Sequence, residues 1–299
     1  MCFLPLRRSR PDSQGDKGAS IFRRVPDRLH QAGYTVRQLF KLIFLPMTDT
    51  TSSEANAPLT GSMYLYTQPE LLNAEAHADL GLVQPTQPFT FAAEVRAIPI
   101  IANEFSSVQK NYPIVFNSLE NPMPIAVVGL LEEKNLFVDE HGEWSPYRYV
   151  PAYLRRYPFA LAGSPGQQAA VVVDVASSRV SQNPEHAFFK DGQVTAQTQN
   201  MIDFCERYDT ELQQTAAFGQ RLKALDLLVQ QTATRNQPDG AEPEIVAQFI
   251  TIDLARVTKL SPALQSELFL NGYLSTIFAQ GFSMENWNTL IALRAEQKP

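Results

Sequence analysis

Two segments of this sequence start at a proline and end on a Tyr-Pro pair, and they constrain the local fold more than any other feature. The first covers residues 99–113 and the second covers residues 151–158. Proline is tolerated in the first turn of a helix but not further along it, and it disfavours helical backbone at the preceding residue. Each segment is therefore predicted to be a short helix that ends at its tyrosine and continues into a strand.

Hydrophobic patterns along the rest of the chain predict strands first and helices later. Runs that alternate or are rich in β-branched residues, and so predict strands, lie at 89–95, 114–116, 125–131, 169–175 and 245–252. From about residue 195 a helical period predicts a long amphipathic helix over 201–228, broken or bent near Gly219. Further helices are predicted to start at Ser261 and Ser283. We therefore expect an α+β fold, with a sheet-rich N-terminal part that includes short helices and a mainly helical C-terminal part.

Charge divides the chain into a leader and a folded part. Residues 1–46 hold nine Lys/Arg and three Asp/Glu, a net charge of +6, whereas the remainder holds 16 and 28, a net charge of −12. Residues 48–62 are small, polar and aperiodic, as in linkers. We expect residues 1–62 to be a basic, disordered leader and linker. Residues 63–195 and 196–299 are expected to pack together as one unit.

Two interpretations of the leader remain open. Met47 and Met63 flank the linker, and one interpretation is that residues 1–46 are an extension upstream of a misassigned start. The other is that they contain a basic amphipathic anchor. The apolar face of this anchor would consist of Val36, Leu39, Phe40 and Ile43, with Arg37 and Lys41 on another face.

Composition limits the partners and the compartment. The net negative charge of the folded part opposes binding to the phosphates of nucleic acid or anionic lipid. The two cysteines, Cys2 and Cys205, are too few for a disulfide framework, which indicates a reducing compartment. The apolar run at 42–45 is far shorter than the roughly 20 residues of a membrane-spanning helix. We predict a cytoplasmic protein, or one peripheral to the cell envelope, with no nucleic-acid partner and no integral membrane segment.

The densest cluster of aromatic and cationic residues supplies the predicted binding surface. Its candidate residues are Arg148, Tyr149, Tyr153, Arg155, Arg156 and Tyr157. A guanidinium group offers a bidentate fork to a carboxylate or phosphate, and a tyrosine ring offers a stacking surface with a polar tip. A peptide or protein partner is therefore predicted. The alternative is that the tyrosines pack on the sheet and the arginines pair with the acidic surface.

Histidine and carboxylate patterns give the competing hypothesis, an enzyme whose site is assembled from residues distant in sequence. His77 and Asp79 match the first two ligands of the facial triad of non-haem iron oxygenases, which His141 or His186 would complete. The alternative is that His77 packs in a short helix, where residues two apart do not share a face. No sequence signature of a serine nucleophile, a nucleotide site or a zinc site is present. We therefore assign no catalytic residue and no cofactor, and favour a non-enzymatic role.

Four stretches together resemble the bacterial SapC family over about residues 63–295. They read NYPIVF at 111–116, NLFVDEHGEW at 135–144, RYVPAYLRRYPFAL at 148–161 and FITIDLARVTKLSPALQSELFLNGYLSTIFAQ at 249–280. The resemblance implies an association with the bacterial surface layer, and it supplies no catalytic residues. It is not to the like-named permease of peptide transporters. Because the folded part is acidic and the sequence shows neither a secretory signal pattern nor a membrane span, we expect an accessory protein inside the cell, and not a subunit of the layer.

Overall fold

The computed structural model of the protein describes residues 22–23, 63–130, 134–163, 169–235 and 244–296. The strands are β1 (Phe22–Arg23), β2 (Pro69–Leu71), β3 (Gly81–Leu82), β4 (Ala97–Pro99), β5 (Ile114–Phe116), β6 (Pro124–Val127), β7 (Phe159–Ala162), β8 (Ala170–Asp174), β9 (Val180–Ser181), β10 (His186–Ala187), β11 (Phe189–Lys190), β12 (Gln193–Val194), β13 (Leu228–Arg235) and β14 (Glu244–Ile252). The helices are α1 (Phe105–Val108), α2 (Ala152–Arg155), α3 (Ala196–Ala224), α4 (Leu254–Val257), α5 (Pro262–Leu270), α6 (Tyr273–Ser283) and α7 (Asn286–Glu296), with 3-10 turns at Thr90–Ala92 and Ala102–Glu104. This arrangement confirms the predicted α+β class.

A six-stranded antiparallel sheet carries the main core. Its strand order is β1-β13-β14-β5-β6-β4, so a hairpin from the C-terminal part of the chain joins strands from the N-terminal part. The hairpin meets the rest of the sheet where Ile250 of β14 pairs with Phe116 of β5. Strands β5 and β6 are buried along their whole length, as their continuous apolar sequences predict. The strands predicted at 114–116 and 245–252 are confirmed, and the one predicted at 125–131 ends earlier, at Val127.

Each Tyr-Pro pair lies between a short helix and a strand. Helix α1 precedes Tyr112, and β5 begins two residues later. Helix α2 precedes Tyr157, and β7 begins two residues later. The first segment is helical over less of its length than predicted, because Pro99 ends strand β4, which pairs with β6. The predicted succession of short helix, Tyr-Pro pair and strand is confirmed at both places, but the helices end at Val108 and Arg155 and not at the tyrosines as predicted.

The prediction of a strand at 89–95 is wrong, because the segment contains the 3-10 turn Thr90–Ala92 and no strand. Its backbone groups bind a neighbouring loop instead of another strand. The Phe89 amide donates to the Gly142 carbonyl at 2.8 Å, and the Asn135 side-chain amide donates to the Ala92 carbonyl at 3.0 Å. The alternating aromatic residues that suggested a strand are used here to pack a compact turn.

Helix α3 continues without interruption past Gly219, so the break, one of the two predicted alternatives, is wrong. The helix begins at a threonine cap, since the Thr195 hydroxyl accepts a hydrogen bond from the Thr198 amide. A Cβ atom at Gly219 would lie 2.0 Å from the carbonyl oxygen of Pro122. The glycine therefore permits close contact between α3 and the loop before β6, and it does not end the helix.

Helix α6 is fixed to the sheet by polar side chains on its inner face. The Gln280 amide donates to the Ile114 carbonyl at 2.8 Å, and the Ser283 hydroxyl accepts from the Ile114 amide at 2.9 Å. The prediction that Ser283 starts a helix is wrong: Ser283 is the last residue of α6, and its buried hydroxyl binds β5 instead of capping the next helix. The α5–α6 turn contains Gly272 at φ 79°, which glycine adopts without strain. The outer face of α6 is thereby held in a fixed orientation.

Candidate functional site

The candidate site is a groove of about 670 Å³ between three parts of the fold. The Ala102–Glu104 turn with α1 forms one wall, α3 forms the second and α6 forms the third. Aromatic rings form its floor: the ring centroids of Phe105 and Phe218 are 6.1 Å apart in an edge-to-face contact, and those of Phe218 and Tyr273 are 5.0 Å apart. Edge-to-face packing of this kind adds to the stability gained by burial.

A threonine connects two walls of the groove. The Thr215 hydroxyl of α3 accepts a hydrogen bond from the Ala102 amide at 2.9 Å and donates to the Glu211 carbonyl at 2.7 Å. Both of its hydrogen-bonding capacities are therefore used inside the protein. The distance between α3 and the Ala102–Glu104 turn is fixed by this contact, so the groove is formed before any ligand arrives.

The rim of the groove is polar and nearly uncharged. Its hydroxyl and amide side chains belong to Asn103, Ser106, Gln109, Gln214, Asn271, Ser275 and Thr276. Among the described residues that line the groove, Glu211 alone carries a charged side chain. Neutral amides and hydroxyls donate and accept hydrogen bonds, as a peptide backbone requires. The chemistry of the groove therefore suits binding.

Two phenylalanines on the outer face of α6 extend the groove to the protein surface. Phe278 is 39% exposed and Phe282 is 64% exposed, and their rings stack with centroids 6.3 Å apart. Phe269 and Leu270, at the end of α5, are 70% and 80% exposed. Large apolar groups concentrated on one surface mark interaction sites more often than scattered single ones do. The α6 pair lines the groove, whereas Phe269 and Leu270 do not.

Three of the residues predicted for the tyrosine–arginine surface lie inside the protein. Tyr153, Arg156 and Tyr157 are buried, and the Arg156 guanidinium lies 4.3 Å from the ring centroid of Tyr153 and 4.6 Å from that of Tyr208. The Tyr153 hydroxyl donates to the Tyr64 carbonyl at 2.6 Å. Cation–π contacts of this kind stabilise a guanidinium that has left water. The contacts of Tyr153 and Arg156 thereby connect α2 to α3 and to the segment before β2.

Tyr157 joins its Tyr-Pro pair to the Thr90–Ala92 turn and to strand β8. Its ring stacks on Phe91 with centroids 4.0 Å apart, and its hydroxyl donates to the Asp174 carboxylate at 3.0 Å. The same carboxylate accepts from the Thr67 amide at 2.9 Å and the Gln68 amide at 2.8 Å. Buried polar groups are normally hydrogen-bonded, and here the three donors let the carboxylate hold parts of the fold together. The Asp174 side chain of β8 thereby connects Tyr157, which follows α2, to the residues before β2.

The remaining predicted residues are at least partly accessible, and two of them lie next to the groove. Arg148 and Arg155 are exposed, and Tyr149 is partly buried. Arg155 donates to the Tyr149 hydroxyl at 3.0 Å, and that hydroxyl donates to Glu104 Oε1 at 2.9 Å. Burial, together with the negative charge of Glu104, raises the pKa of Tyr149 to about 12, so the phenol stays neutral. Because Glu104 belongs to the turn that forms one groove wall, Tyr149 and Arg155 adjoin the groove.

The proposed iron ligands do not converge. His77 is buried; its Nδ1 accepts from the Asn73 amide at 3.1 Å, and its Nε2 lies 3.2 Å from a carboxylate oxygen of Glu70. Asp79 lines a separate shallow pocket, and His141 is exposed beside its sequence neighbour Glu140. Within the described residues, no three His, Cys, Asp or Glu side chains are grouped so as to hold a metal ion. Packing and capping occupy His77 instead.

Cys205 is buried in the second core, among Phe159, Val173 and Phe188. Burial raises the pKa of its thiol to about 11. The reactive thiolate form is therefore scarce at neutral pH. The cysteine packs as a small apolar residue, in agreement with its place in the apolar pattern of α3.

Sequence reasoning did not find the groove, because its walls come from three segments distant in sequence. One signal was available in α6. Ile277 faces the core, while Phe278 and Phe282 recur four residues apart on another side of the same helix. A helix with apolar residues on more than one side must bury a second face or leave it exposed. That pattern indicated a second contact surface on α6 without indicating the groove.

The described part of the chain contains no helix that is both long enough and apolar enough to cross a membrane. Comparison with known proteins gives one family: the SapC family model matches residues 72–290. No curated protein and no solved structure matches this chain. Because the match covers well over half of the 299 residues, the chain belongs to the SapC family.

Proposed function

We propose that this SapC-family protein is a non-enzymatic accessory or binding protein that captures a peptide segment of a partner protein in the groove between α1, α3 and α6. The observation that carries the proposal is the stacked, exposed pair Phe278 and Phe282 at the edge of a preformed groove with an aromatic floor. Aromatic side chains that meet in a pocket supply a large share of binding energy in protein interfaces.

The rigidity of α6 supports this function. Gln280 and Ser283 fix the inner face of the helix to β5, so Phe278 and Phe282 on its outer face do not need to be ordered when a partner binds. A preorganised surface loses less conformational entropy on association than a mobile one does. The arrangement favours recognition of a short segment with one or two apolar anchor residues.

The polar rim indicates the chemistry of the partner. Asparagine and glutamine side chains can donate to and accept from a peptide backbone, and Glu211 favours a neutral or basic segment over an acidic one. Arg155 lies 5.3 Å from the ring centroid of Phe204, which precedes Glu211 by two turns of α3, about 10 Å. A longer segment would therefore pass from the groove to Arg148, Tyr149 and Arg155. In this proposal they are a second contact, for a carboxylate.

An association with the bacterial surface layer is part of the proposal, and the family resemblance supports it. The acidic folded part and the two cysteines support a cytoplasmic protein or one peripheral to the envelope. Peptides from a surface-layer protein are therefore the first natural ligands to test. The groove proposal itself does not depend on their identity.

The test is a selection of random 12-residue peptides displayed on phage against the immobilised full chain. The selected peptide is then labelled, and its affinity is measured by fluorescence anisotropy. Phe278→Asp and Phe282→Asp should each weaken binding about tenfold or more, since a charge would replace an apolar contact.

The matched control is Phe269→Asp, which alters an equally exposed phenylalanine that does not line the groove. It should leave the affinity unchanged, and all three variants should melt at the temperature of the unmodified chain. Equal affinities for Phe282→Asp and Phe269→Asp, or a selection that yields no peptide, would contradict the proposed function.

A further inference from the structure

We propose that residues 36–44 of the leader occupy the groove in cis and compete with an external peptide. The proposal rests on the proposed function of the groove and names a ligand for it. Four residues carry the match, Val36, Leu39, Phe40 and Ile43, whose spacing puts them on one face of a helix. Phe278 and Phe282 offer apolar partners for such a face.

Charge favours the same pairing. Arg37 and Lys41 accompany the apolar residues of the leader, and Glu211 is the charged residue among those lining the groove. The leader as a whole carries a net charge of +6, and the remainder of the chain carries −12. Opposite charges attract a segment towards a surface over about 10 Å at an ionic strength near 0.1 M.

The leader is connected to the body of the protein on both sides of this segment. Before it, strand β1 pairs with β13, with Phe22 opposite Ala233 and Arg23 opposite Thr232. After it, the chain enters the described core at Met63, and the Tyr64 hydroxyl donates to the Ala97 carbonyl at 2.9 Å. The leader therefore contacts the body, and residues 36–44 lie between two anchored points.

The linker is long enough for the segment to reach the groove. Residues 45–62 can span roughly 60 Å when extended, and a compact body of this size has a radius of gyration of about 18 Å. Tethering within the same chain gives the attached segment an effective concentration of the order of 1 mM. A segment with an intrinsic dissociation constant of about 0.1 mM would then raise the apparent dissociation constant of a competing peptide about tenfold.

The experiment uses a synthetic, fluorescently labelled peptide of residues 34–46 and the full-length chain. The unmodified chain should bind this probe weakly, because its own leader fills the groove. The double variant Leu39→Asp/Phe40→Asp should bind it about tenfold more tightly, because the altered leader no longer competes. Adding Phe282→Asp to that double variant should abolish the gain in affinity for the probe, because the groove itself is then altered.

The matched control is Thr51→Asp/Ser53→Asp, which adds the same two charges to the linker and should bind the probe as weakly as the unmodified chain. Equal binding of the probe by the unmodified chain and by Leu39→Asp/Phe40→Asp would overturn the inference. The phage-selected peptide separates the two proposals. If its binding depends on Phe282 while the leader variants change nothing, the leader inference fails and the proposed function of the groove stands.

Discussion

The tyrosines of the two Tyr-Pro pairs and the phenylalanines of α6 occupy opposite environments. Tyr112 is fully buried; its hydroxyl donates to the Tyr149 carbonyl at 2.7 Å and accepts from the Trp144 indole at 3.2 Å. Phe278 and Phe282 have no polar group to satisfy, yet both are exposed. The comparison shows that a polar tip does not place an aromatic residue at the surface when the fold supplies its hydrogen bonds.

The contrast between buried tyrosines and exposed phenylalanines indicates that different regions of this protein serve stability and binding. The tyrosine–arginine sequence at 147–157 has the composition of a binding surface, but half of its candidate residues hold elements together. The α6 segment looks like an ordinary apolar helix, but one of its faces borders a groove. Variants in the first region should therefore change unfolding, and variants in the second should change ligand affinity.

The largest expected difference in stability is between a buried and an exposed phenylalanine. Phe116 lies fully buried in β5, so Phe116→Ala should lower the free energy of unfolding by about 3 to 5 kcal/mol through lost burial and the cavity left behind. Phe282→Ala removes the same kind of ring from an exposed position. It should change the free energy of unfolding by no more than about 0.5 kcal/mol. Urea denaturation followed by tryptophan fluorescence measures both. Similar losses in the two variants would remove the distinction between the regions.

Local patterns in the sequence predicted the parts of the fold that depend on neighbouring residues. The α+β class, strands β5 and β14 and the Tyr-Pro junctions follow from apolar periodicity and from the backbone restrictions of proline. Ser261 caps α5 as predicted, since its hydroxyl accepts from the Leu264 amide. Membership of the SapC family was also recognisable from motifs at fixed positions.

The errors arise where tertiary contacts override local patterns. Gly219 is required by the close approach of Pro122, and Ser283 is bound to a strand far away in sequence. The burial of Arg156 depends on Tyr208 of α3, which no pattern around residue 156 could indicate. The groove was missed for the same reason, because α1, α3 and α6 are distant in sequence and come together only through tertiary contacts.

A smaller difference is expected between two adjacent arginines. Arg156 is buried against tyrosine rings, so Arg156→Ala should lower the free energy of unfolding by about 2 kcal/mol through lost packing and cation–π contact. Arg155 is exposed, although it donates to the Val150 carbonyl at 3.1 Å, and Arg155→Ala should change the free energy by less than about 1 kcal/mol. Thermal and urea denaturation compare the two variants. A larger loss for Arg155→Ala would mean that the accessible edge, and not the interior, stabilises this segment.

The smallest effect concerns Glu104, where the two regions meet. Its buried carboxylate accepts from the Ile101 amide at 3.0 Å, the Ala152 amide at 2.6 Å and the Tyr149 hydroxyl at 2.9 Å, so it joins a groove wall to the second Tyr-Pro segment. Burial raises the pKa of this carboxyl despite these hydrogen bonds. The folded protein then holds the proton more tightly than the unfolded chain does, and the stability due to Glu104 is present at low pH and declines as the pH rises through the raised pKa.

Glu104→Gln keeps the shape of the side chain and removes the titration. The free energy of unfolding of the unmodified chain minus that of Glu104→Gln should therefore decrease as the pH is raised from about 4 to about 8, whatever the constant offset between the two proteins. Subtracting the free energy of unfolding of the variant cancels the contribution of the other carboxylates, which titrate in both proteins. A difference that increases with pH would show that the three donors and Arg155 outweigh burial and hold the pKa below its usual value. The contact between the groove wall and the tyrosine-rich core would then be an ionic one at neutral pH, and the two regions would be coupled through a charge.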